Sequence, residues 1–204
     1  MQRDTKHHLL NTSEALFAER GFYGVSIAAI AEEMGFSKQA LLHHYPTKER
    51  LYGAVLQRIS DDFLERQRAA EQASLDPLER LKACYLGLAK PSPENIQRTR
   101  LLMRELLDNN ARAAHAENWY MRSLLERLIT MTRSIDKLQN LCDKEALMIV
   151  YQILGAINYF LVSPSTLKAI FGESMFDEIN QSVAHNLSLL IEARISLTST
   201  SSNK

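Results

Sequence analysis

Between Ser26 and Tyr45 the chain carries two short runs, each headed by a serine and parted by one glycine. Ser26 is a good N-cap, because its oxygen can accept from an otherwise free N–H of the first helical turn. Ile27, Ile30, Ala31 and Met34 follow at helical spacing and form one apolar face. Gly35 can take positive φ and turn the chain at once. Phe36 plugs the corner, and Ser37 is a second N-cap opening a helix to about residue 44, anchored inward by Leu41. Pro46 stops that helix and Thr47 caps the next. Two short helices joined by a tight turn have the shape of a helix-turn-helix, whose second helix enters the major groove of DNA. Its outward positions are Lys38, Gln39, Leu42 and His43. Lys48 falls in the first turn of the following helix, where free N–H groups and a lysine suit a phosphate. A generic helical hairpin shares each piece singly. Here the small Ala31, the glycine turn, the anchors and both caps sit at compatible offsets.

The segment from Leu9 to Leu51 resembles the TetR family of transcriptional repressors. The resemblance lies in Leu9-Leu10, the run from Leu16 through Ile27, Ile30-Ala31, Gly35, Ser37-Lys38, Leu41, His43-His44-Tyr45 and Lys48-Glu49. It implies that Lys38 and Gln39 read base edges. It also implies that Ser37, His43, His44, Tyr45 and Lys48 position the phosphate backbone, with Ser26 adding a contact at the other helix start. Leu42 stands where the family often has a tyrosine that touches the backbone. It cannot donate a hydrogen bond and would instead meet a thymine methyl.

Glycine (7) and proline (5) are scarce among 204 residues, 46% are hydrophobic, and 3.6-residue periodicity runs for long stretches, so the expected class is all-α. The expected division is a three-helix DNA-binding domain over residues 1–50, a helical ligand-binding and dimerisation domain over 51–197, and a disordered Ser/Thr-rich tail over 198–204. A long helix over 48–73 bridges the two domains. Further helices are expected from Asp76-Pro77, over 94–108, over 113–135, and over 143–162 with Asp143 as cap. A short one should end at Gly172, and a last one should cover 175–197. The net charge is zero, with 24 basic and 24 acidic residues, and the first 50 residues hold six of each sign. Arg3, Lys6, Lys38 and Lys48 would therefore have to line the DNA side, with modest affinity per head and a need for two heads. Cys84 and Cys142 lie in helical patterns and read as buried free thiols, not a disulfide. No cleavable signal is read, and the longest apolar run, 146–162, is interrupted by Gln152 and Asn158. The expected setting is cytoplasmic, with no membrane partner.

The helix over 143–162 is apolar nearly all round, and the last helix carries Met175, Ile179, Val183, Leu187, Leu190 and Ile191 with a second strip at Phe176, Ala184 and Leu189. Burying both fully demands more protein than one chain supplies. The expected partner is a second copy, packed through Ile149, Gln152, Ile153, Gly155, Ala156, Ile179, Val183, Leu187 and Leu190. The family resemblance implies the same four-helix arrangement, and a small molecule among the central helices that alters DNA binding. Candidate lining residues are Tyr85, Met103, Leu106, Trp119, Tyr120, Ser123, Leu124, Tyr151 and Tyr159, each also an ordinary core candidate. Arg98, Arg100 and Arg104 read as a solvated face that an acidic ligand could meet. His115 with Glu117 lacks a third ligand, so no metal and no cofactor are expected.

No phosphate-binding loop, dinucleotide motif, nucleophile elbow, zinc-protease motif or paired-cysteine motif is present, and nothing points to an enzyme. The expected function is a homodimeric repressor released from a pseudo-palindromic operator, on double-stranded DNA, by a small-molecule effector of unknown identity. The competing reading is a helical adaptor whose helix-turn-helix no longer reads DNA.

Overall fold

A computed structural model describes residues 2–108 and 120–201, and every regular element among them is helical. In chain order these are α1 (Gln2–Arg20), α2 (Ile27–Glu33), α3 (Lys38–His44), α4 (Lys48–Ala73), α5 (Pro77–Ala89), α6 (Pro93–Asp108), α7 (Arg122–Arg133), α8 (Asp143–Val162) and α9 (Pro164–Ser201). A single 3-10 turn, Asp136–Leu138, lies between α7 and α8. The chain forms two compact units, Met1–Asp62 with Ile96–Met121, and Phe63–Asn95 with Arg122–Lys204. The first unit thus reaches beyond residue 50 and takes in most of α6.

The first unit closes on Leu9, Phe17, Ile30, Leu41, Leu51, Val55, Ile59 and Leu101, all almost fully buried. Phe17 and Phe22 meet the ring of Tyr52 edge-on at 4.9 and 5.0 Å. The Tyr52 hydroxyl donates to Glu105 Oε2 at 2.7 Å, which gives the polar end of that ring a partner inside the core. The inward face of α6 is mixed: Arg98, Thr99 and Glu105 are buried beside Leu101, while Leu106 and Leu107 are exposed. This corrects the reading of Arg98 as part of a solvated face; Arg100 and Arg104 are exposed as that reading requires. Arg98 is interior because two carboxylates meet it. Its Nε donates to Glu14 Oε1 at 3.3 Å and its Nη2 to Asp62 Oδ2 at 2.6 Å. Glu14 also accepts from Gln97 at 3.2 Å and pairs with Arg58.

The second unit packs α5, α7, α8 and α9 around Leu81, Tyr85, Leu128, Leu138, Ile149, Val150, Ile153 and Ile191. Asn95 Nδ2 donates to the carbonyls of Gly87 and Lys90, both at 3.0 Å, and so satisfies the end of α5 where the proline pair stops it. The N-cap of α8 is Cys142, not Asp143. The Glu145 carboxylate turns back to accept from the Cys142 N–H at 2.9 Å, which fixes the helix start one residue earlier. Gly172 takes φ 84° and breaks α9, as the glycine predicts. Helix α7 is described only from Arg122; expectations on Trp119, on His115 and Glu117, and on the helical residues before 120 lie outside the described residues, as does the fate of 202–204.

By length and composition α8 is apolar enough to cross a membrane, with mean hydropathy 1.6, which corrects the reading that no run is long enough. One side of α8 is core all the same, at Ala146, Ile149, Val150, Ile153, Ile157 and Leu161. Its other side holds Gln152, whose carbonyl accepts from Arg194 Nε at 2.6 Å.

Of the two thiols only Cys84 is buried, and Cys142 is exposed at its cap position. Burial pushes Cys84 up to about 12, so it is neither ionised nor reachable. A disulfide reagent at pH 8 should therefore titrate Cys142 quickly in the native protein and Cys84 only on unfolding. Two equally fast thiols would contradict this packing.

Candidate nucleic-acid interface

Local chemistry builds α2 and α3. Ser26 Oγ accepts from Ala29 N and Ser37 Oγ from Ala40 N, each at 3.1 Å. Between them Gly35 sits at φ 67°. Its N–H donates to Glu32 O at 3.0 Å, and the Phe36 N–H donates to Ala31 O at 2.8 Å. That nested pair is the Schellman ending of a helix, and it needs a residue that tolerates the left-handed region. Ile30 and Ala31 are buried from α2 and Leu41 from α3, so the two helices are pinned at one corner.

With Leu41 inward, Lys38, Gln39, Ala40, His43 and His44 are exposed, and Leu42 and Tyr45 are half-buried. The structure therefore brings the expected reading residues together on one exposed side of a seven-residue helix. The His43 and His44 rings lie 5.9 Å apart and perpendicular at its C-terminal end. Tyr45 is the C-cap of α3, and burial raises its phenol, partly offset by Arg58.

Lys48 has a second occupation that the sequence does not announce. Its Nζ donates to Phe22 O and to Val25 O, both at 3.0 Å, and lies 4.2 Å above the centre of the Phe22 ring. The ammonium ties the loop before α2 to the start of α4, which uses two of its three donors. Lys48→Met should consequently lower stability by about 1–3 kcal/mol, through two buried carbonyls left unpaired. It should weaken binding to every DNA sequence alike. Thermal melts together with specific and scrambled DNA titrations check this, and a stable variant with altered sequence preference would contradict it.

The other expected sites distribute differently. In the second unit Tyr85 and Leu124 are buried, while Ser123, Tyr151 and Tyr159 are exposed. Met103 and Tyr120 of the first unit are half-buried and Leu106 is exposed. Of the residues expected at a dimer face, Ile149, Ile153 and Leu187 are core within the chain itself and are not available to a partner, because α8 and α9 turn them inward. Gln152, Gly155, Ala156 and Leu190 are exposed, and Ile179 and Val183 are half-buried. Met148, Tyr151 and Tyr159 extend that exposed strip of α8 at spacings of three and four residues, and Leu189 extends it on α9. The side chains that sequence reasoning missed are Glu14 and Arg58. Their signal was a charge at an inward position: Glu14 falls in step with Leu10 and Phe17.

Residues 9–55 match the family described as "Bacterial regulatory proteins, tetR family". The HTH-type transcriptional regulator RutR of Escherichia coli (strain K12) is 25% identical over 189 residues, covering 92% of this chain and 89% of that one. The HTH-type transcriptional repressor KstR2 of Mycobacterium tuberculosis (strain H37Rv) is 32% identical over 79 residues, 39% of this chain and 40% of the relative. Among solved structures, a putative transcriptional regulator from Saccharomonospora viridis in complex with choline shares the fold. Its TM-score is 0.65 at 22% identity, covering 90% of this chain and 97% of that one.

Proposed function

We propose, for a chain that belongs to the tetR family of bacterial regulatory proteins, that it is a homodimeric repressor acting on genomic DNA in the cytoplasm. A small molecule bound in the second unit releases it from a pseudo-palindromic operator. The observation that carries this reading is the outward side of α3, where Lys38, Gln39 and His43 stand exposed on a helix fixed by Leu41 and the Ser37 cap. Long polar side chains so placed can reach base edges, while Ser26, Ser37, His44 and Tyr45 lie at helix ends where phosphates pass. Leu42, half-buried, meets a methyl rather than a phosphate.

The exposed strip of α8 supports dimerisation. Gly155 and Ala156 leave room for close approach, and no atom of the described residues lies within 4 Å of a Cβ built on Gly155. A second copy would cover Met148, Tyr151 and Tyr159 together with Leu189 and Leu190, and would pair two α3 helices with two half-sites. Effector control requires only that the molecule bind the DNA-competent and DNA-incompetent states with different affinity.

The test is an anisotropy titration with DNA from upstream of the chain's own gene and with a scrambled control, at two salt concentrations. Specific binding should be tight and should fall with salt. Gln39→Ala should relax the preference by about 1–3 kcal/mol at its base. Equal loss on both DNAs would remove Gln39 from base reading.

A further inference from the structure

The outward side of α3 has an order that follows from its single anchor. Among the residues of α3 only Leu41 is buried, and it faces α2, where Ile30 and Ala31 are buried. With about 100° of turn per residue, Gln39 and His43 both stand roughly 160° from Leu41 around the helix axis. Ala40 and Leu42 stand roughly 100° from Leu41 on opposite sides, and Lys38 and His44 roughly 60°. A recognition helix meets base edges with the side opposite its scaffold, and its flanks run beside the phosphates. Gln39 and His43, both exposed, are therefore the pair aimed at the floor of the groove. Lys38 and His44 start beside the walls. The long lysine stem can run to a base or to a phosphate from there, so it does not fix which base pair is read.

The two side chains suit different bases. The Gln39 carboxamide sets a donor beside an acceptor, which complements N7 and N6 of adenine. A histidine ring reaches the groove with an N–H donor. Guanine sets two acceptors side by side there, O6 and N7, whereas adenine sets a second donor beside its N7. Four residues at about 1.5 Å each put the two contacts about 6 Å apart, or about two base-pair steps. Ala40 and Leu42 present methyl groups on the two flanks, the surface that a thymine methyl meets.

We propose that His43 reads a base beside Gln39, and that each operator half-site carries an adenine met by Gln39 and, about two steps away, a guanine met by His43. This moves His43 from the phosphate backbone, where the family resemblance puts it, to the base edges. The inference rests on the reading of α3 as a sequence-selecting DNA helix.

The experiment is selection of bound duplexes from a random pool by the full chain, as wild type, Gln39→Ala, His43→Ala and His43→Gln. Titrations of the wild-type motif and its single-base variants follow, with thermal melts of all four proteins. Wild type should enrich adenine and guanine at the stated spacing in both half-sites. His43→Ala should lose about 5- to 150-fold of discrimination at the guanine alone, and Gln39→Ala as much at the adenine alone. His43→Gln should shift the preferred base at the guanine position to adenine, a change of preference that a structural or phosphate-bound histidine would not give. All four melts should coincide, because both side chains are exposed. The same motif recovered by wild type and His43→Ala would overturn the proposal and leave DNA reading by α3 in place. Equal weakening of His43→Ala on every sequence would do so too, since that marks a phosphate contact. A motif with no guanine in register with the adenine would also overturn it. A wild-type pool with no enriched sequence would overturn the DNA-reading role itself, and this assignment with it.

Discussion

Replacing Glu14 by alanine is expected to be among the most destabilising single changes in the first unit, costing about 3–5 kcal/mol. Glu14 is 3% exposed and faces the guanidinium groups of Arg58 and Arg98 and the Gln97 amide, so it joins α1, α4 and α6. Its removal leaves Arg98, itself 4% exposed, short of one of two carboxylates. Arg98 keeps Asp62, but removing one partner from a buried ion-pair network costs more than the net worth of the pair itself. For a chain of this size the melting midpoint should fall by about 6–20 °C. The double variant Glu14→Leu with Arg98→Met should recover much of the loss, because charge and counter-charge then leave together. A Glu14→Ala midpoint within a degree of wild type would show that the network contributes nothing.

A charge at the centre of the α8 strip is expected to act on assembly instead of folding. Ala156 is exposed and sits beside Gly155 between Gln152 and Tyr159, so the carboxylate of Ala156→Asp can point to solvent in the single chain. Across a two-fold axis the new carboxylates would face each other where apolar surface should meet, and two like charges there cannot be satisfied. Light scattering should show a folded monomer. Operator affinity should drop by about 10²–10⁴-fold, the share that two tethered heads contribute over one. A variant that remains dimeric would move the interface elsewhere, and a monomer with undiminished operator affinity would dispense with the second head.

The parts legible from sequence are those that short-range chemistry decides. Ser26, Gly35 and Ser37 fix α2, the turn and α3 through bonds spanning three to five residues, and Gly172 breaks α9 through its own φ. The charged core was only half legible: spacing puts Glu14 in step with Leu10 and Phe17, but nothing local shows that its partner is Arg98, 84 positions away. Lys48 is similar: its spacing marks a helix start, but nothing local reveals that Phe22 O and Val25 O will claim its ammonium. On α8 the sequence shows that two sides are apolar without telling which is core. Ile149 and Ile153 went inward, leaving Met148, Gly155 and Tyr159 outside.

On the proposed reading, the exposed side of α3 selects a specific DNA sequence, two copies at a time. The most direct test is selection of bound duplexes from a random pool by the purified protein, beside the Lys38→Ala, Gln39→Ala double variant. An inverted repeat whose half-sites are spaced by about one helical turn, 10–10.5 base pairs, or a multiple of it should be enriched. The double variant should lose that enrichment at unchanged thermal stability. An unenriched pool, or the same motif recovered by the double variant, would contradict it.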